Sequence, residues 1–167
     1  MFFKKLSIVC TMLLIMASCK KENTAQSYNS IASLVFGKYI GECLSDCVVM
    51  YALYPLKLQQ DTVPDLFFQT NYVFNGIDLS SDKFEQVKHL LSEIPDELTT
   101  TADKSYGCPD CHDQGGIYVA VSVTQDALGG DATTTHKYQI DPDDTDDQST
   151  DIVSFKTKIL TAIQQLN

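Results

Sequence analysis

Four of the six cysteines fall in two close pairs, Cys43-x3-Cys47 and Cys108-x2-Cys111. Each pair stands just before an apolar segment that reads as a β-strand. If those strands lie side by side and run parallel, all four sulfurs gather at one end of the sheet. The simplest chemistry is two disulfides, for which an even number of cysteines is suited and three connectivities exist. A bond from Cys108 to Cys111 within its own turn is expected to be strained, which favours bridges between the two pairs. Such a bridge closes a loop of about 65 residues and adds roughly 4 kcal/mol in the chain-entropy account. A second chemistry is one zinc ion held by all four thiolates. A third is haem, because Cys108-Pro109-Asp110-Cys111-His112 spells the covalent attachment signature C-x-x-C-H. A fourth is a redox dithiol at Cys108 and Cys111, which works best when the first cysteine opens a helix.

Neighbouring residues rank these readings. Asp113-Gln114-Gly115-Gly116 leads into a strand, where haem and dithiol motifs want a helix. No sixth haem ligand stands out: His89 projects to solvent, Met50 lies in an apolar strand, and His136 sits in a hairpin. Haem would also leave Cys43 and Cys47 without a role. Two disulfides among Cys43, Cys47, Cys108 and Cys111, with no cofactor, are therefore expected.

The compartment comes from the N-terminus. A short basic start with Lys4 and Lys5 precedes an apolar run of 11 residues, Leu6 to Met16. A bilayer-spanning helix needs about 20 apolar residues, so this run reads as a secretory signal. Met16-Ala17-Ser18-Cys19 closes it and resembles the lipobox of bacterial lipoproteins, with Met16 where Leu is usual. The resemblance implies a signal peptide over 1–18, removed before Cys19, and acyl chains on Cys19. Several chains on one residue satisfy the rule that stable anchoring takes more than one. Lys20 to Ser30 is polar and aperiodic, so 19–30 reads as a lipidated cysteine and its tether. The expected location is extracytoplasmic, on a bacterial membrane, with the outer membrane favoured.

Composition fits a folded domain over 31–167. The chain has 44% hydrophobic and 20% charged residues, which is globular. All 12 basic residues are Lys. Without Lys4 and Lys5, ten lysines face 22 carboxylates, a net charge of −12. Nucleic acid is excluded as a partner, since phosphates are repelled and the arginine fork that reads base edges is missing. The expected partners are the membrane, through the lipid, and a protein or ligand that the composition does not identify.

Periodicity places the elements. Ile31 to Phe36 reads as a strand, and Cys47 to Leu58 as one central strand bent at Pro55. Leu66 to Phe74 alternates like a half-exposed strand, and Asn75-Gly76 turns the chain. Ser80 to Ile94 is amphipathic through Phe84, Val87, Leu90, Leu91 and Ile94, with Asp82 and Glu85 at capping-box spacing. Gly116 to Thr124 and Thr133 to Ile140 form a hairpin about Gly129-Gly130. Asp151 to Leu166 is a second amphipathic helix. The expected fold is α+β, a two-layer sandwich of an antiparallel sheet of about 4–5 strands with two helices on one face.

Other candidate sites are weaker. Asp141 to Asp151 is acidic, but position six is Asp146 and position twelve is Ile152, so it is no EF-hand. Asp110, His112 and Asp113 cluster near the second pair. No G-x-S-x-G nucleophile elbow occurs, so no catalytic residue is expected and the chain reads as non-enzymatic. Gly41-Glu-Cys43-Leu-Ser-Asp-Cys47-Val-Val-Met-Tyr51 and Tyr106-Gly-Cys108-Pro-Asp-Cys111 are similar to the hallmarks of small domains of unknown function in bacterial lipoproteins. That resemblance spans about Phe36 to Leu166. It implies a middle helix, a hairpin and a C-terminal helix, and no catalytic residue.

Overall fold

The computed structural model describes residues 30–40, 47–64, 73–112, 114–127 and 130–167. Seven strands form one sheet: β1 Ser30–Tyr39, β2 Val48–Tyr54, β3 Lys57–Asp61, β4 Gly76–Asp78, β5 Lys104–Tyr106, β6 Gly116–Ala127 and β7 Gly130–Ile140. Their order is β4-β3-β2-β1-β6-β7-β5. Every neighbouring pair is antiparallel except β5 and β7, which run parallel. Three helices accompany it: α1 Ser81–Val87, α2 Glu97–Thr100 and α3 Thr150–Leu166.

The class is α+β, as expected, but the sheet is larger and mixed. The run read as one strand over Cys47 to Leu58 is a hairpin, turned at Pro55-Leu56 between β2 and β3. An unbroken apolar run hid the turn, and Leu56 at its tip is 90% exposed. β4 and β5 have three residues each, too short for a period-2 pattern to show. Gly76, read as a turn, opens β4. Most of the expected strand over Leu66 to Phe74 lies outside the described residues, as does Gly129; Val73 and Phe74 are not in a strand.

One sheet face carries the core. Tyr51, Phe36, Val119 and Tyr138 stand opposite one another across β2, β1, β6 and β7. Leu53, Leu34 and Val121 form the next row, because residues two apart share a face. The helices close this layer with Val87 and Leu90, Leu98, and the α3 stripe Ile152, Phe155, Ile159 and Ile163. The α1 stripe is as expected. Its cap, however, is Ser80, whose hydroxyl accepts from the Lys83 amide at 3.4 Å, and not Asp82. The helix also tightens to a 3₁₀ turn over Lys88–Ser92. α3 is capped by Ser149, which accepts from the Ile152 amide. Its far end is tied to the sheet by the Tyr51 hydroxyl, which donates to Asn167 at 3.0 Å.

The opposite sheet face is partly covered. Tyr39, Val48 and Met50 form a small buried cluster there with Cys47, Phe74 and Tyr118 packed against it. The Tyr39 ring lies across Gly116, where a Cβ would sit 2.5 Å from it, and its hydroxyl donates to Gln139 on β7 at 2.8 Å. Replacing Gly116 with Ala should displace that ring and cost about 1–3 kcal/mol. Urea denaturation checks this; unchanged stability would show that the ring moves aside freely.

Candidate functional site

β2 and β6 both run antiparallel to β1 and so run parallel to each other, with β1 between them. Tyr39 pairs with Val48 on one side and Gly116 on the other. Contrary to expectation the two strands are thus not side by side, but Cys47 and the Cys108–Cys111 turn still reach the same end of the sheet.

The pairing differs from the favoured cross-bridges. Cys108 is bonded to Cys111, with 5.5 Å between their Cα atoms. Cys47 is also disulfide-bonded, and its partner lies outside the described residues, as do Cys43, Cys19 and Asp113. The local bond forms because C-P-D-C is itself a reverse turn. Pro109 takes the second position, Asp110 the third with φ 63°, and the Cys111 amide donates to the Cys108 carbonyl at 3.2 Å. That combination is the type II pattern, in which proline presets one corner and a left-handed residue makes the other. The Asp110 amide donates to the Gly115 carbonyl, and its carboxylate accepts the Gly115 amide in return. Gly115 itself has φ 78° and passes so close to Tyr39 that a Cβ would lie 2.0 Å from its carbonyl oxygen.

An acidic loop holds this turn from the other side. The carboxylate of Asp141, the residue that follows β7 and is 4% exposed, accepts the Cys108 amide at 2.9 Å, the Asp143 amide at 3.0 Å and the Gln114 side chain at 3.2 Å. The Asp147 carboxylate accepts the Gly107 amide with both oxygens at 3.0 Å. The Thr145 hydroxyl, followed by that amide, keeps the Asp147 carboxyl below the usual Asp value.

Inside the loop sits a cation. Lys156 on α3 is 2% exposed. Its ammonium donates to the carbonyls of Asp141 and Asp143, to the Asp144 carboxylate at 2.8 Å and to Gln148 Oε1 at 2.7 Å. A tethered ammonium organises the acidic stretch by filling its oxygen cage. Burial, reinforced by Asp110 and then Asp141, pushes the Tyr39 hydroxyl up to about 12.

Other predicted residues stay apart. His112 is exposed beside the disulfide, His89 is exposed on the 3₁₀ turn, and Met50 is fully buried on the second sheet face. With the bond formed, neither Cys108 nor Cys111 is a thiolate available to zinc or haem. Among the described residues no group of three or more His, Cys, Asp or Glu is arranged for a metal ion. Sequence reasoning missed Asp141 and Lys156. The signal was a lysine within the apolar stripe Ile152-Phe155-Ile159, directly after an acidic loop. It also missed a cleft of about 350 Å³ beside β5, lined by Asp103, Ser105, Tyr118, Lys137 and Gln139.

No protein-family model, curated protein or solved structure matches this chain. Function must be argued from these residues.

Two expectations follow. Lys156→Met should destabilise the fold by roughly 3 kcal/mol, because the oxygens around the ammonium lose their donor. Thermal and urea denaturation would read the loss, and a change under about 0.5 kcal/mol would contradict the cage. A lowered carboxyl contributes stability above its unfolded pKa that is lost as pH falls through the folded one. The Gly107 amide resonance should therefore titrate with a midpoint below that of an ordinary Asp. A midpoint at or above the ordinary value would contradict the Asp147 contact.

Proposed function

We propose that this is a lipid-anchored extracytoplasmic protein whose α+β domain binds a partner or ligand in the cell envelope and is not an enzyme. The observation that carries the reading is the Cys108–Cys111 disulfide on an exposed turn. Exposed disulfides persist in oxidising compartments and are rare where thiols are kept reduced. The signal-like segment ending at Cys19 supports the same address, and Cys43 is the proposed partner of Cys47. Among the described residues no helix is long and apolar enough to cross a membrane, so attachment is assigned to the acyl chains on Cys19. The similarity of the two cysteine motifs to small lipoprotein domains of unknown function points the same way.

Binding is assigned to the cleft beside β5. Tyr118 offers a ring with a raised hydroxyl pKa, owing first to burial and then to Asp103. Lys137, Gln139, Ser105 and Asp103 add donors and acceptors around it. A mostly open cleft with one aromatic wall and several polar groups suits a small hydrogen-bonding ligand.

Cys19→Ser in the full chain should move the protein from the membrane fraction to the soluble extracytoplasmic fraction. A variant that remains with membranes would remove the lipid anchor from the account.

A further inference from the structure

We infer that Cys108 and Cys111 form a reversible thiol–disulfide exchange site that takes up two electrons stoichiometrically from an external dithiol. The inference goes beyond the binding role and does not depend on the lipid anchor.

Three observations carry it. Both sulfur-bearing residues are exposed, as are Gly107 before them and His112 after them, so an incoming thiolate has access. The ring they close spans only four residues, with a sequence separation of 3. Loop entropy grows with loop length, so this bond constrains the unfolded chain least among the bridges these cysteines can make. The turn is also held by contacts that contain no sulfur. The Cys108 amide is bonded to Asp141, the Gly107 amide to Asp147, and Asp110 and Gly115 to each other in both directions. With the turn held, the two Cα atoms stay near their 5.5 Å spacing when the bond is broken, and the sulfurs remain within reach of each other. A bond that the fold scarcely needs, placed in reach of solvent and on a frame that survives its loss, is suited to exchange more than to stapling.

The chemistry balances as follows. A thiolate of the external dithiol attacks one Sγ of the pair and forms a mixed disulfide. The electron pair of the Sγ–Sγ bond passes to the other cysteine, which leaves as a thiolate and takes a proton from water. The second thiolate of the reagent then attacks its own partner sulfur and expels the remaining cysteine. The protein gains two electrons and two protons, and the reagent becomes a disulfide. The reverse sequence passes both electrons to an oxidant disulfide.

The test uses the full-length protein in detergent, with dithiothreitol as the dithiol and oxidised glutathione as the reverse reagent. Alkylation and peptide mass mapping assign each cysteine. Reduction of Cys108–Cys111 should be first order in dithiothreitol and insensitive to urea below the unfolding transition. Oxidised glutathione should restore the same pair. A rate independent of dithiothreitol, or one that rises with urea in step with unfolding, would overturn the proposal. So would reoxidation onto Cys47. The double variant Cys108→Ser with Cys111→Ser should melt within a few degrees of the parent; a variant that does not fold would show the bond to be a structural staple.

Discussion

The Asp141 carboxylate is the constraint on which this end of the molecule depends. It stands where β7 leaves the sheet, and its backbone amide still donates to the Tyr106 carbonyl on β5 at 2.9 Å. Its side chain gathers the Cys108 amide and the start of the acidic loop, while its carbonyl accepts from Lys156 and Gln148. One residue therefore joins the last strand, the disulfide turn, the acidic loop and α3. A buried carboxylate is tolerable only when its lone pairs are filled, and here amide and side-chain donors fill them. The neighbouring Lys156 ammonium offsets part of the loop's charge through the Asp144 carboxylate at 2.8 Å. Charge and hydrogen bonding thus do at this end what apolar packing does under the helices.

The long periodic segments were legible in the sequence. β6, β7 and α3 are long enough to show their period, and the stripe Phe84, Val87, Leu90, Leu91 and Ile94 packs on the core as expected. The three-residue strands were not, since β5 is defined by the neighbour it meets. β2 and β3 merged because both faces of β2 are buried, which removes alternation from the pattern. Cys47 and the Cys108–Cys111 turn do reach one end of the sheet, but their strands are separated by β1 instead of lying side by side. The cysteine connectivity was misjudged because the Pro109-Asp110 corner was weighed as strain instead of as a turn. Lys156 entered only the net-charge count, since composition does not reveal that a lysine faces four oxygens.

The two faces of the sheet divide the work of the molecule. One face and its helices supply the core, while the other presents Tyr39, Tyr118, Lys137 and Gln139 near the strand ends. Tyr39 links the regions: its ring crosses β6, its hydroxyl reaches β7, and the carboxylates of Asp110 and Asp141 bear on it. The polar surface and the disulfide turn are parts of one rigid end, held from both sides of β1. β1 begins at Ser30, and this end lies at its opposite tip, Tyr39.

The central claim is that the turn is shaped by its carboxylate clamps and not by its sulfur bond. Hydrogen exchange at the Gly107, Cys108, Cys111 and Gly115 amides, compared in the oxidised and reduced protein, tests it most directly. The account predicts that these amides stay protected after reduction, within about tenfold of their oxidised rates. Exchange at the rate of an unstructured chain once the bond is broken would contradict it.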